Sequence, residues 1–450
     1  MDAIAAFAGH VVGKRYEELP TEVVAAAKVA ILDTLGVGLA GSSEAMAAEL
    51  AAMHARGSAG EAHVWGNGTR LTAAAAAMCN AYQVHNTEFD CLHEQAVVHA
   101  MTVVLPAAIA AAERRRNVSG RALIAAVALG VDVAAGLGVA AQTGLRFFRP
   151  ATAGAFGATA AVGKLIGLGD AGMVDALSIA YAQACGTMQA HAEGSGLLAL
   201  QMGFNARNAV VACDLAARGF TGPKHVLEGP FGYFHLFEAA GSPARVAAEL
   251  GQRWFITELA YKPFPSGRAT HGIIEACLIL RRQHAIDAAS IARVGVRVPP
   301  LVHQLVARPS RVQMDASYAR LSAPYVAARA LLTGDVGREA FTAEAYRHGA
   351  TQDLARRIDI AVVDADANAL TPVEVAIELC NGARCAARID VVYGNPAKPI
   401  DAADRVAKFC RNCAAALAPP PPGAAEGIIA GVARLEDLED VGELFAPALR

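Results

Sequence analysis

An excess of either charge is missing from this 450-residue chain, in which 39 Lys and Arg face 42 Asp and Glu for a formal net charge of −3 and a pI near 6.5. Without a basic surplus there is no electrostatic footprint for nucleic acid. Charged residues of both signs are sparse at 18%, apolar ones reach 54%, and Ala fills many stretches, a composition suited to close-packed helices. Long membrane-like runs are also lacking: the apolar stretch Ala122–Ala141 is interrupted by Asp132 and several Gly. The first residues, Met1 to Phe7, carry an acid where a signal peptide carries bases, and His10 and Lys14 break the apolar run. A soluble, cytoplasmic protein with no membrane partner is expected. Paired cysteines are scarce as well. Nine are scattered, and Cys410-x-x-Cys413 is the only close pair, with no second pair or nearby His. This reads as buried free thiols rather than zinc, so no metal is expected.

From the N-terminus to about residue 255 the spacing is helical. Thr21 caps a run from Val23 to Leu39 that Gly36, Gly38 and Gly41 close, and further helices are expected over 44–56, 71–86, 100–115, 119–141, 154–167, 171–186 and 204–218. Glu61 to Thr69, with its Gly-Asn-Gly, suggests a small hairpin. After Pro263-Phe264-Pro265 the pattern changes. Ile291–Val298, Ile358–Val363, Val373–Leu379 and Cys385–Val392 read as strands, with a helix over 324–332 between the first two and a turn at Asn381-Gly382 joining the last two. Residues 402–418 and 424–432 return to helix. The expected fold is mainly α: a large all-α helical domain, 1–262 and 400–450, with a smaller α+β lid domain, 263–399, inserted before the C-terminal helices.

Three stretches carry chemistry. Lys262-Pro263-Phe264-Pro265-Ser266-Gly267-Arg268-Ala269-Thr270-His271 sets a rigid turn before a helix whose first turn bears Arg and His, where backbone N–H groups and the macrodipole favour a carboxylate. The segment Asn80 to His93 ends a helix with two carboxylates and two imidazoles, and His99 follows, the groups that proton abstraction needs. Gly136-Leu137-Gly138-Val139-Ala140-Ala141 fits a loose dinucleotide fingerprint, yet no strand precedes it and no βαβ pattern surrounds it, so no nucleotide is assigned.

Ile31 to Gly41, Asn80 to His99, Thr221-Gly222-Pro223 with Leu227-Glu228-Gly229 and Gly232, Lys262 to His271, and Tyr318-Ala319-Arg320-Leu321 follow one another in an order that resembles the MmgE/PrpD family of 2-methylcitrate dehydratases and cis-aconitate decarboxylases. The resemblance spans nearly the whole chain. It implies a homodimer, no cofactor, and a site between the two domains for a small di- or tricarboxylate; members include dehydratases, a decarboxylase and an iminodisuccinate epimerase. Several positions depart from the family pattern. Its Asp-Phe-Asp-Asp stretch is Glu88-Phe89-Asp90-Cys91, and a following Thr is Leu92. His99 matches the His of the His-Pro-Ser turn, with Ala100 for Pro. Arg149 stands for a His, Arg207 for a Lys and Gly267 for a Cys, whereas Lys262 and His271 are retained.

Arg clamps carboxylates but does not exchange protons near neutral pH, so these departures remove proton carriers and add anion-binding capacity. The expected catalytic residues are His99 and His271 as proton carriers, Glu88 as a base or a group orienting an imidazole, and Lys262 as a further charge. Arg149, Arg207, Arg268 and His93 are the expected substrate-binding residues. A 2-methylcitrate-like dehydratase, a hydro-lyase, is the first reading. An epimerase of a substituted succinate or a decarboxylase is the next, and a relative that only binds a carboxylate is the reading from another class.

Overall fold

Helices form where apolar residues recur every three to four positions and a small polar side chain stands at the start. A computed structural model describes residues 2–55, 60–366 and 368–443. It is mainly α and divides into two units, one of Met1–Met188, Leu197–Ala260 and Asp401–Arg450, the other of Gln189–Gly196 and Tyr261–Ile400. The break after Ala260 falls two residues before the expected one. Gln189–Gly196, expected in the helical body, groups instead with the second unit, where Arg308 donates to the His191 carbonyl at 2.8 Å.

The first unit is built on the helices Thr21–Gly41, Ala73–His85, Ala100–Arg115, Gly120–Ala140, Arg149–Ile166 and Leu197–Ala216. Thr72 and Ser119 cap two of them, their hydroxyls accepting from the Ala75 and Ala122 N–H groups. Gly120–Ala140 packs on Arg149–Ile166, which in turn meets Leu197–Ala216 and Ala100–Arg115. Leu123, Ile124, Val127 and Val131 are fully buried in that layer, each stabilising the fold by roughly 2 kcal/mol. Gly120–Ala140 and Thr21–Gly41 are long and apolar enough to cross a membrane, but 94% of the most apolar window of the first is buried inside the protein. Its Asp132 is satisfied by the Phe255 N–H at 2.9 Å and His10 Nε2 at 3.1 Å, while burial raises its carboxyl above the usual range.

The sequence placed Gly36, Gly38 and Gly41 at a helix end, but the helix runs through to Gly41. Packing is the reason: a Cβ on Gly38 would lie 2.5 Å from the Trp65 ring, and one on Gly41 1.8 Å from the Gln83 carbonyl oxygen. The helix expected over 44–56 is Ala47–His54, and Arg56 lies outside the described residues, as do 444–450. Arg149–Ile166 begins five residues earlier than expected because Pro150 suits the first turn. The expected hairpin is present as Ala62–His63 paired antiparallel with Arg70–Leu71.

In the second unit four strands form one sheet in the order Ile358–Val362, Ile291–Val298, Val373–Leu379, Arg384–Ile389, with the first pair parallel and the others antiparallel. The helix Arg268–Gln283 packs on the last two strands and on the helix Ala323–Thr333. Its buried Ile273, Ile274, Cys277 and Leu280 join Val294, Val296, Val375 and Ile377 in one core. The alternate strand positions carry ion pairs, Arg297 and Arg388 with Glu374 and Arg384 with Glu378.

Candidate active site

The segment 86–99 joins two helices that present functional groups at their ends. His85 sits in the last turn of Ala73–His85, and His99 is the residue before Ala100–Arg115, with Thr102 in that helix's first turn. Between them the chain turns through Glu88, which holds a left-handed φ of 51°, and returns Asp90 to both imidazoles. Asp90 is fully buried. Its Oδ2 lies 2.8 Å from His85 Nδ1 and 2.9 Å from His99 Nδ1, and it accepts the Thr102 hydroxyl at 2.5 Å. The His85 and His99 rings meet edge to face at 5.1 Å.

A carboxylate only accepts, so His85 gives Asp90 its Nδ1–H and turns Nε2 toward Glu88 Oε1, 3.6 Å away. A bare Nε2 and a carboxylate oxygen are both acceptors, and a proton carried by either one relieves the pair. The macrodipole at the C-terminal end of one helix favours positive charge on His85, whereas His99 stands at an N-terminus, where it is disfavoured. Two imidazoles thus sit on one buried carboxylate oxygen in opposite helix-end fields.

Other elements hold this segment still. Lys408, from the helix Ala402–Ala414, pairs with Asp33 at 2.7 Å, donates to the Phe89 carbonyl at 3.1 Å and covers the Phe89 ring at 4.0 Å. Asp33 belongs to the Ile31–Gly41 block, so the return of the chain's end to the first unit secures the residues beside Asp90. Cys91 is no nucleophile here, since burial and then the Asp33 and Asp90 charges push its thiol far up.

Of the residues expected from sequence, the structure brings Glu88 and His99 together and sets others elsewhere. His93 is not poised for substrate: its Nδ1 accepts the Ala96 N–H at 3.2 Å and its Nε2 meets Glu258 at 3.1 Å. Arg149 is not available as a carboxylate clamp either. It is buried in a two-pronged pair with Glu238 at 2.7 and 2.9 Å, and it also donates to the Ala96 and Thr143 carbonyls, so a second anion would meet a neutralised guanidinium. Arg207 is half-buried on Leu197–Ala216, directed to Asn208 Oδ1 at 3.1 and 3.2 Å.

Lys262, Arg268 and His271 lie in the second unit, all buried. Arg268 donates to the Tyr393 carbonyl at 2.8 Å, and His271 Nε2 lies 3.1 Å from the Ser266 carbonyl, with its Nδ1 3.4 Å from Arg268 Nη1. In this arrangement His271 braces Arg268 and the proline turn. Lys262 follows Tyr261, whose N–H reaches the Gly394 carbonyl at 2.8 Å.

Sequence reading counted His85 and Asp90 among the carboxylates and imidazoles of the 80–93 segment but gave neither a role, and it missed Thr102. The signal was there in His85-x-x-Glu88-x-Asp90 and in Thr102 three residues beyond His99, but nothing in the spacing says that the loop folds back. His85, Asp90 and His99 also form, among the described residues, a group of metal-type donors with atoms within 4.8 Å of one another.

A buried carboxylate shared by two imidazoles at two helix ends gathers the kinds of side chain that proton transfer uses. Residues 5–245 match the MmgE/PrpD N-terminal domain and residues 264–430 the MmgE/PrpD C-terminal domain, and the chain belongs to the MmgE/PrpD family. Among its relatives, the cis-aconitate decarboxylase of Homo sapiens is 29% identical over 457 residues, covering 97% of this chain and 92% of that protein. The Mus musculus cis-aconitate decarboxylase is also 29% identical, over 458 residues, covering 97% and 91%. A cis-aconitate decarboxylase of Aspergillus terreus is 32% identical over 284 residues, 60% of this chain and 58% of that protein.

Proposed function

We propose that this protein is a cofactor-independent lyase that decarboxylates a small unsaturated tricarboxylate of the cis-aconitate kind. The observation that carries the reading is the single Asp90 oxygen shared by His85 and His99. In the reaction the bond to one carboxylate breaks, carbon dioxide leaves, and the electron pair stays on carbon, spread into the neighbouring unsaturated acid. An imidazole then delivers a proton to that carbon. His85, with the Glu88–His85 pair as its proton store, is the donor; His99 serves as partner base. The decarboxylase activity of these relatives supports decarboxylation over the dehydration expected first from the sequence.

Dehydration of a 2-methylcitrate-like hydroxy acid is the second reading, favoured by the two imidazoles of opposite character, since elimination needs a base for the carbon-bound proton and an acid for the leaving hydroxide. The test is proton NMR in D₂O with cis-aconitate, citrate, 2-methylcitrate and amino- or hydroxysuccinates. Loss of one carboxylate with deuterium at the product carbon supports the proposal. New olefinic signals from the hydroxy acids move the assignment to dehydration, and deuterium without net conversion moves it to epimerisation. No change in any acid overturns both readings and leaves a carboxylate-binding protein. The homodimer implied by the resemblance is part of the proposal, and a monomer mass in light scattering at micromolar concentration contradicts it.

A further inference from the structure

His99 reaches the site on a closed turn. His93 and Val98 exchange backbone hydrogen bonds at 2.9 and 3.3 Å, and the Val97 N–H reaches the Glu94 carbonyl at 3.1 Å. The price of this geometry is borne by Val97, a β-branched residue held at φ 51°, where only glycine is at ease. Something outside the turn has to hold it, and both flanking peptides of Ala96 are gripped. Its N–H goes to His93 Nδ1, and its carbonyl accepts from Arg149 Nη1, each at 3.2 Å.

Each grip is itself anchored. His93 Nε2 meets Glu258, which Arg253 binds through Nε and Nη2 at 2.7 Å each. Arg149 is fixed by Glu238, whose Oε1 also accepts the fully buried Tyr233 hydroxyl at 2.9 Å, and that hydroxyl lies 3.1 Å from Thr152 Oγ1. The turn seats against Gly138, where a Cβ would stand 2.7 Å from Ala96 Cβ and Val98 Cγ2. Gly138, part of the stretch that fits a loose nucleotide fingerprint, thus makes room for this turn, whereas Gly136 makes room for Phe7, Val246 and Phe255.

We propose that Arg149 and His93 are positioning residues for His99: they hold the Ala96 peptides and so keep Val97 in its left-handed conformation and the imidazole at Asp90. The inference rests on His99 taking part in the proposed reaction. Neither residue is assigned to substrate, and the guanidinium at a position that the family pattern gives to His acts on backbone.

The test compares Arg149→Lys, Glu238→Gln and the double variant Arg149→Lys/Val97→Gly with wild-type full-length protein. Circular dichroism and thermal unfolding serve as fold controls. Lysine keeps the charge but not the fork that reaches Glu238 and Ala96 together. Arg149→Lys and Glu238→Gln are each expected to lower kcat by about 10- to 100-fold with KM within about threefold, since displacing a catalytic group by about an ångström costs on that order. Val97→Gly is expected to return about tenfold of the Arg149→Lys loss, because glycine holds φ > 0 without the clamp.

A second readout needs no turnover: in protein labelled with ring-¹⁵N histidine, the His99 signals, assigned with His99→Ala, should shift in Arg149→Lys and move back in the double variant. Unmoved His99 signals in all three variants overturn the inference. So does a KM raised more than about tenfold at unchanged kcat, the mark of a lost substrate contact. Absence of turnover in wild type overturns the proposed reaction alone, and the histidine spectra then decide the positioning role separately.

Discussion

Replacing Asp90 by Asn tests the site with the smallest change of shape. Oδ2 accepts the Thr102 hydroxyl at 2.5 Å and stands 2.8 and 2.9 Å from two imidazole Nδ1 atoms. An amide oxygen is an uncharged, weaker acceptor and the amide nitrogen donates, so the buried His85 and Thr102 donors lose their charge-assisted hydrogen bonds, at about 1–3 kcal/mol of stability. The larger effect is on protons. Without a carboxylate to receive Nδ1–H, an imidazole can take the other tautomer, which moves its lone pair from Nε2 to the wrong edge of the ring. In a Ser-His-Asp triad the same substitution costs about 10⁴ in kcat, or ~5.4 kcal/mol of barrier, and a fall of about 10³- to 10⁴-fold is expected here. KM should stay within about fivefold, because Asp90 is buried and holds imidazoles rather than substrate. Initial rates by NMR on the acid that the wild type converts, with circular dichroism as the fold control, make the measurement. A kcat within about tenfold of wild type, ~1.4 kcal/mol, refutes the reasoning.

Lys408→Met should lower stability by about 3–5 kcal/mol, because Asp33 is left buried without its counter-charge; a denaturant midpoint equal to wild type contradicts this. Burial pushes the Glu258 carboxyl up, but hydrogen bonds from Arg253 and His93 outweigh that and hold it down to about 2 against an ordinary 4.5. A depressed carboxyl stabilises fully above its unfolded value and loses that contribution as pH falls toward the folded one. Wild type should therefore lose more stability than Glu258→Gln between about pH 4.5 and about pH 2, and parallel curves in acid denaturation rule this out. Dialysis against EDTA should leave turnover unchanged, with the His85–Asp90–His99 group acting through hydrogen bonds; activity lost and restored by a divalent ion reassigns the cluster as a metal site.

Where local pattern and burial agree, the elements were legible. Ala100–Arg115 and Ile291–Val298 occupy the residues that their periodicity marks, since a long apolar face admits one register. The glycines of Thr21–Gly41 misled for a physical reason. A helix tolerates glycine when a neighbour needs the missing Cβ volume, and Trp65 and Gln83 are remote in sequence. Leu197–Ala216 begins seven residues before the expected start, at Leu197-Leu198 rather than Phe204.

The sequence by itself determined the helical body, the α+β segment after the proline turn and the gathering of carboxylates and imidazoles between His85 and His99, because each is written in residues close along the chain. Only the tertiary structure decided which polar groups face one another. It turned Asp90 to both imidazoles and gave Arg149 to Glu238 and the backbone. It set His93 against Glu258, and brought Lys408 back to Asp33 from 375 residues away. Partnerships of buried charge depend on which surfaces the packed helices close, and that is a property of the whole fold rather than of any local spacing.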